Sequence, residues 1–220
     1  MEIKTMSVVF KNRLSFREVP LLRGALLHLA DGDTTLFHDH LGDKLRYKYP
    51  LVQYRESGGH ASVFCLGDGA AAMENLLGAA SSAEVRIGRR VEKLLVASET
   101  RRNDELVLSD VFHEYTIRRY LPLNQENYAR YKTLDSIVDR YQMIEKCLIG
   151  NILSFAKSMG MFFDQQIEVK IQDVANTHEY TYKKVRMLGF DLKFKANVSL
   201  PQHIALGKGV SIGFGEIFCK

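Results

Sequence analysis

Apolar residues recur along this chain with two different spacings, and the spacing indicates which segments are helices and which are strands. Between Thr133 and Gly160 they recur every three or four residues, which predicts a long amphipathic helix. From Phe190 to Leu200 they alternate strictly with polar residues, which predicts a strand with one buried face. The clearest helix and the clearest strand therefore both lie in the second half of the chain.

The first half of the chain has the pattern of alternating strands and helices. A β-rich run at residues 3–10 is followed by an apolar segment that opens at Pro20, as a helix would. Two further β-rich runs flank Ser57-Gly58-Gly59, which is typical of a hairpin, and Asp68 can cap the next helix. A β-branched and charged run at residues 84–98 then completes the order βαββαβ.

A polar, charged break at residues 99–104 separates this half from a second one. We place the boundary there, with one domain at residues 1–99 and another at residues 105–220. The second half is predicted to contain a strand, the long helix, two strands, a loop or degenerate helix, and a last strand. The simplest architecture is α+β, with two ferredoxin-like (βαββαβ) domains in tandem and a glycine-rich loop near the C-terminus.

Composition narrows the class of protein. The chain has 220 residues, and a hydrophobic content of 46% is enough to bury one sizeable core or two small ones. Its three cysteines are far apart and show no CxxC spacing, which argues against a disulfide framework or a zinc knuckle. No apolar run is long enough for a signal peptide or a membrane span, so we expect a cytoplasmic protein without a membrane partner.

Positive charge is concentrated near the C-terminus. The net charge is only +4, but the stretch from Lys183 to Lys208 contains a single acid, Asp191. The basic residues in that stretch are Lys183, Lys184, Arg186, Lys193, Lys195 and Lys208. Such a concentration is expected where a polyanion binds, and a solvated strand face is the alternative.

The same region ends in a glycine-rich loop with the sequence LGKGVSIGFG. Its candidate binding residues are Gly207, Lys208, Gly209, Ser211, Gly213 and Gly215. Glycines permit positive φ and close approach, while a lysine and exposed amides attract phosphate. The P-loop pattern fails because Lys208 is followed by glycine, and the dinucleotide fingerprint fails because Gly213 comes one residue too late. The loop therefore suits a phosphate backbone, with a simple hairpin turn as the alternative.

The order of elements together with the segment LPQHIALGKGVSIGFGEIF resembles the RAMP superfamily of CRISPR-associated proteins. The segment itself is similar to the C-terminal signature of endoribonucleases that process CRISPR repeat RNA. This resemblance implies a hydrolase of antiviral defence that binds CRISPR repeat RNA and cleaves its precursor within the repeats, with neither metal nor cofactor. The 2′-hydroxyl would attack the adjacent phosphate and leave a 2′,3′-cyclic phosphate and a 5′-hydroxyl. A CRISPR effector complex and a second copy of the chain are the protein partners it suggests.

That chemistry needs a base for the 2′-hydroxyl proton, an acid for the departing oxygen and a group that stabilises the charged phosphate. Histidine suits both proton transfers because its pKa lies near neutrality. Similar enzymes carry their histidine after the first helix, where this chain has His38 and His40. Lys44 and Tyr47 are the nearby groups able to neutralise the phosphate or to hydrogen-bond it.

Two other interpretations of this histidine pair stay open. His38 and His40 could be ordinary loop residues of a non-catalytic RNA-binding protein with the same fold. They could also form a zinc pair with Asp39 or Asp43 in a metal-dependent phosphodiesterase, although no HxHxDH or HExxH motif completes it.

Aromatic residues stand beside basic ones in two further segments, 115–120 and 180–186. Base stacking with phosphate contacts is the functional interpretation, and cross-strand tyrosine packing is the structural one. His203 precedes the glycine-rich loop and is placed to approach a bound RNA there.

Overall fold

The computed structural model describes residues 1–30, 40–41, 44–45, 49–79 and 84–219. The helices are α1 (Val19–Leu29), α2 (Asp68–Ala79), α3 (Gln125–Lys132) and α4 (Ile137–Ser158), with 3-10 turns at Phe16–Glu18 and Val210–Ile212. The strands are β1 (Glu2–Arg13), β2 (His40–Leu41), β3 (Lys44–Leu45), β4 (Val52–Ser57), β5 (His60–Leu66), β6 (Glu84–Ile87), β7 (Arg90–Lys93), β8 (Val96–Glu105), β9 (Val107–Tyr120), β10 (Val169–Tyr182), β11 (Val185–Ser199) and β12 (Glu216–Cys219).

Contacts divide the chain into two compact units. The N-terminal unit contains residues 2–104 together with 211–213, and the C-terminal unit contains Met1, residues 105–210 and residues from Phe214 onward. Each unit has a four-stranded sheet of its own, with the orders β4-β5-β1-β8 and β10-β11-β9-β12. If the four strands of each sheet are counted in chain order, the second and third form a hairpin, and the first lies between the third and the fourth. This strand order, with helix between the first and second strands of each sheet, is that of the ferredoxin-like motif, so the predicted fold class is confirmed.

The N-terminal unit buries one face of its sheet under two helices. Strand β1 pairs antiparallel with β5, with Val8 opposite Val63, and β5 pairs with β4. Helix α1 contributes Leu22 and Leu26 to the core, and α2 contributes Met73. The elements predicted around Pro20, the glycine pair and Asp68 are therefore all present.

The C-terminal unit is built on the two patterns that were clearest in the sequence. Helix α4 begins at its N-cap Ser136, whose side chain accepts from the Val138 amide at 3.1 Å, and its apolar stripe is buried. In β11 the predicted alternation holds over residues 190–200, where every second residue is buried. Helix α4 and the buried face of β11 contribute to this unit's core, together with Ile117 of β9 and Ile217 of β12.

The charged stretch at residues 99–104 is not a linker. It forms most of β8, which lies at the edge of the N-terminal sheet and is largely exposed along its length. An exposed edge strand does not need the apolar alternation that marks a half-buried one, and for that reason the stretch looks like a break. The run at residues 84–98 likewise divides into the β6–β7 hairpin and the start of β8.

Across the described part of the chain, no helix combines the length and apolar character needed to cross a membrane.

Candidate functional site

The glycine-rich loop is tied by its backbone to the end of β9 and to itself. Four of its amides donate to main-chain carbonyls: Leu206 to Gly215 (2.9 Å), Lys208 to Leu121 (3.1 Å), Phe214 to Gly209 (3.3 Å) and Gly215 to Arg118 (3.0 Å). Amides used in this way hold the shape of the loop. These four amides are used within the protein, and binding of a phosphate backbone by the rest of the loop stays a prediction.

Two of the glycines are required by contacts inside the protein. Gly207 has a φ of 90°, and a Cβ there would lie 2.8 Å from the Tyr120 ring and 2.9 Å from the Leu121 carbonyl oxygen. Gly215 has a φ of 73°, and its Cβ would lie 1.9 Å from the Leu206 carbonyl oxygen. Side-chain atoms are excluded at both positions by conformation and by space. The close approach is to the protein itself.

The other predicted loop residues differ in their accessibility. Gly209 is buried against the Phe214 ring, and Gly213, grouped with the N-terminal unit, is buried near Phe16. Lys208 and Ser211 are half-buried. The lysine is therefore the charged group of this loop that a ligand can reach.

The β10–β11 hairpin turns through two lysines. Lys183 and Lys184 have φ values of 49° and 65°, and the pair Tyr182 and Val185 closes the two-residue turn. This left-handed conformation is normally adopted by Asn-Gly or Gly-Gly at such a turn, so two lysines here carry backbone strain. Both are exposed, as is Arg186 beside them.

Aromatic rings connect this turn to the glycine-rich loop. The Tyr180 ring meets the Phe214 ring edge-on at 5.3 Å, and the Tyr182 ring does so at 6.1 Å. Gly189 leaves room for this arrangement, because a Cβ there would lie 2.6 Å from the Tyr180 ring. The two segments linked by these rings carry four cations that we call the basic patch: Lys183, Lys184, Arg186 and Lys208.

Lys193 and Lys195 lie elsewhere, on the outer face of β11. Neighbouring strands bring acids beside them: Lys195 Nζ is 3.3 Å from Glu114 Oε1, and Lys193 pairs in register with Asp173. Arg186 likewise has Glu179 at 3.9 Å, although both side chains are well exposed and solvent screens the pair. The local excess of positive charge is smaller in the fold than it is along the sequence.

Tyr115 and Tyr120 are not stacking residues. Both are buried; the Tyr115 hydroxyl donates to the Val198 carbonyl at 2.7 Å, and the Tyr120 hydroxyl donates to Asn151 Oδ1 at 2.7 Å. Burial raises the pKa of each phenol. Arg118, in the same segment, is exposed and has its Cζ 4.9 Å from the centroid of the Phe218 ring.

Sequence reasoning missed the partners of His203. Its Nδ1 lies 3.0 Å from Glu216 Oε1, and its ring meets the Phe218 ring edge-on at 5.5 Å. The signal was present in the last strand, where Glu216 and Phe218 alternate with the buried Ile217 and so share its outer face.

The predicted catalytic residues belong to the segment that follows α1. His38 and Tyr47 lie outside the residues that the structure describes. For His40 and Lys44 it describes the backbone, which forms the β2–β3 hairpin with His40 opposite Leu45 and Leu41 opposite Lys44. Within the described residues, no group of three or more His, Cys, Asp or Glu is arranged to hold a metal ion.

Comparison with known families covers almost the whole chain. A model of the Cas6b N-terminal domain matches residues 1–104, and a model of the Cas6b C-terminal domain matches residues 107–219. A curated relative, an uncharacterized protein of Methanocaldococcus jannaschii, is 35% identical over 106 residues, which are 46% of this chain and 67% of that protein.

Solved structures give the same result at the level of the fold. A crystal structure of Cas6b is 26% identical with a TM-score of 0.90, and one of a CRISPR RNA processing endoribonuclease Cas6b is 26% identical with a TM-score of 0.75. Each match covers 100% of both chains. Csf5, a type IV Cas6 crRNA endonuclease, is 13% identical over 100% of both chains with a TM-score of 0.58 and shares the fold.

Proposed function

The chain belongs to the Cas6b family of CRISPR RNA-processing endoribonucleases, and we propose that it cleaves precursor CRISPR RNA within the repeats without a metal ion. The observation that carries this proposal is the match of two consecutive Cas6b domain models to residues 1–104 and 107–219. The basic patch supports it, because accessible cations next to aromatic rings suit an RNA backbone.

In the proposed reaction the RNA supplies its own nucleophile. A base removes the proton from the 2′-hydroxyl, whose oxygen attacks the adjacent phosphorus while the bond to the 5′-oxygen breaks. An acid protonates that leaving oxygen, so the products are a 2′,3′-cyclic phosphate and a 5′-hydroxyl. We assign the two proton transfers to His40 and His38, and we assign stabilisation of the charged phosphate to Lys44 and Tyr47.

The proposal also divides the work between the two halves of the chain. Residues 1–99 would carry the catalytic histidines, and residues 105–220 would hold the RNA through the basic patch. The glycine-rich loop would contribute Lys208, because several of its amides are engaged within the protein. After cleavage, the repeat fragment would pass to a CRISPR effector complex or stay on a dimer of this chain.

The chemistry is tested with a repeat RNA and the same RNA carrying one 2′-deoxy sugar at the cut site, both in excess chelator. We expect cleavage of the ribose substrate alone, with a cyclic phosphate on the upstream product. Binding without cleavage would indicate a non-catalytic RNA-binding protein. Activity that disappears with chelator and returns with metal would indicate a metal-dependent phosphodiesterase.

The assignment of the histidines is tested under single-turnover conditions. His40→Ala and His38→Ala should each lower the cleavage rate by a factor on the order of 10² to 10⁴, the range for a lost acid or base. His28→Ala is a matched control, because His28 is exposed on α1. If both variants cleave at the wild-type rate, the proton transfers belong to other groups.

A further inference from the structure

A second group of side chains lies at the β12 edge of the C-terminal sheet. Residues 203–205 pair back onto β12: the His203 amide donates to the Ile217 carbonyl at 3.1 Å, and the Ile217 amide donates to the Ile204 carbonyl at 2.8 Å. This pairing places His203 beside Glu216 and Phe218 on the outer face of the sheet. We call Arg118, His203, Glu216 and Phe218 the edge cluster.

His203 is held in this cluster by its backbone and by its ring. Its φ of 68° lies in the left-handed region, where residues other than glycine are uncommon and often functional. Glu216 Oε1 accepts from Nδ1 at 3.0 Å, and the imidazole packs edge-on against Phe218. The imidazole and its carboxylate partner therefore fix one side of the Phe218 ring.

Arg118 covers the same ring from the neighbouring strand. Its Cζ lies 4.9 Å from the Phe218 centroid, while the side chain as a whole is exposed. A guanidinium is planar, and that of Arg118 lies within cation–π distance of the phenyl ring. Because this contact already restricts its rotamers, a ligand that stacks on the outer side would lose less conformational entropy on binding.

The charge around Arg118 favours a nucleobase over a lone phosphate as that ligand. Glu216 is directly opposite Arg118 in the β9–β12 pairing, so a carboxylate accompanies the guanidinium. A phosphate would meet both charges, whereas a neutral base is attracted to the guanidinium by stacking and loses little to the carboxylate. Bases inside a duplex have both faces covered by neighbours, so the base must be unpaired.

We propose that the edge cluster is a stacking site for one unpaired nucleobase of the bound RNA, with Arg118 as the contact residue and with Phe218, His203 and Glu216 as positioning residues. This inference rests on the proposed function, since it assumes an RNA ligand. The site adjoins the glycine-rich loop, because the Gly215 amide donates to the Arg118 carbonyl. An RNA strand that follows the basic patch could therefore extend onto it.

The test combines one protein variant with a series of altered RNAs. Repeat RNAs that each lack a single base, but keep the backbone, are measured by fluorescence anisotropy at one salt concentration. One abasic position should weaken wild-type binding about 5- to 150-fold, the range for a single base stacked on a side chain. Arg118→Lys keeps the charge but removes the plane, so at that same abasic position it should bind as tightly as it binds the intact RNA.

Arg140→Lys is the matched control, because Arg140 lies over the Tyr131 ring at 5.4 Å on a different element. It should show the wild-type abasic profile. The inference is overturned if Arg118→Lys shows the wild-type profile, or if it weakens binding equally at every position, which would indicate a purely electrostatic contact. Because the measurement is of binding, a positive result stands even if the RNA is never cleaved. If the protein cleaves the ribose substrate normally but no abasic position is affected by Arg118→Lys, the stacking site is refuted and the proposed function is not.

Discussion

The two sheets of this protein have the same strand order and differ in how the third strand connects to the fourth. In the N-terminal unit the connection contains α2 and the β6–β7 hairpin. In the C-terminal unit residues 200–215 take that place, with a 3-10 turn at Val210–Ile212 as their regular element. The glycine-rich loop, residues 206–215, is the larger part of that second connection.

The difference shows how a shared topology can carry different surfaces. A helix satisfies most of its own amides and carbonyls, so α2 needs only an apolar face, with Met73 buried beneath it. A loop has no such internal ladder, and this one bonds its amides to Leu121, to Arg118 and to its own residues. The loop needs glycines to approach those partners, and it brings Lys208 to the basic patch.

The largest expected effect comes from adding a side-chain atom to the glycine-rich loop where its backbone is closely packed. Gly215→Ala places a Cβ 1.9 Å from a backbone carbonyl at a φ of 73°, and we expect it to destabilise the protein by about 3 kcal/mol or more. Gly150→Ala in α4 makes the same chemical change in a helix with nothing within 4 Å, and should stabilise by about 0.5–1 kcal/mol. Urea unfolding followed by circular dichroism measures both. Equal stabilities would mean that the loop is not closely packed.

A smaller effect, of opposite sign in the two units, concerns their buried tyrosines. Tyr120 in the C-terminal unit donates to Asn151 Oδ1, whereas the described residues offer no hydrogen-bond partner to the Tyr54 hydroxyl. Tyr120→Phe should therefore cost about 1 kcal/mol, and Tyr54→Phe should be neutral or stabilising by up to about 1 kcal/mol. The same unfolding experiment gives the comparison, and a loss of stability in Tyr54→Phe would contradict it.

The sequence predicted those elements that have one buried face, because a buried face gives a regular pattern of apolar residues. The alternation in β11 and the stripe of α4 exist because one face of each is buried, so the period could be read directly. Helix α3 was missed for the same reason: its residues are all described and none is buried, so it has no apolar stripe. Strand β8 looks like a break in the sequence because its exposed, charged residues give no sign that its backbone is paired.

The sequence proposes the residues of the candidate site, but it does not show what surrounds them. A count along the chain found one acid between Lys183 and Lys208, yet Glu114, Asp173 and Glu179 come from other strands. The glycines indicate that the backbone passes close to another group. They do not show that, at Gly207 and Gly215, this group belongs to the protein itself. The partnership of His203 with Glu216 depends on pairing across an edge, which no local pattern reveals.

The smallest expected effect distinguishes a basic side chain that binds RNA from one that only forms ion pairs within the protein. Arg186 belongs to the basic patch. Its ion pair with Glu179, at 3.9 Å, is largely screened by solvent because both side chains are exposed. Arg101, on the N-terminal unit, instead bridges Glu74 at 2.6 Å and Glu99 at 2.7 Å. Arg186→Ala should weaken RNA binding about threefold to tenfold and reduce the slope of log K against log salt by about 0.7, because one phosphate contact is lost. Arg101→Ala should leave both the affinity and the slope unchanged, since its guanidinium is already neutralised by two carboxylates. Titrations at several salt concentrations measure the slopes, and an equal loss in the two variants would mean that RNA does not distinguish the two surfaces.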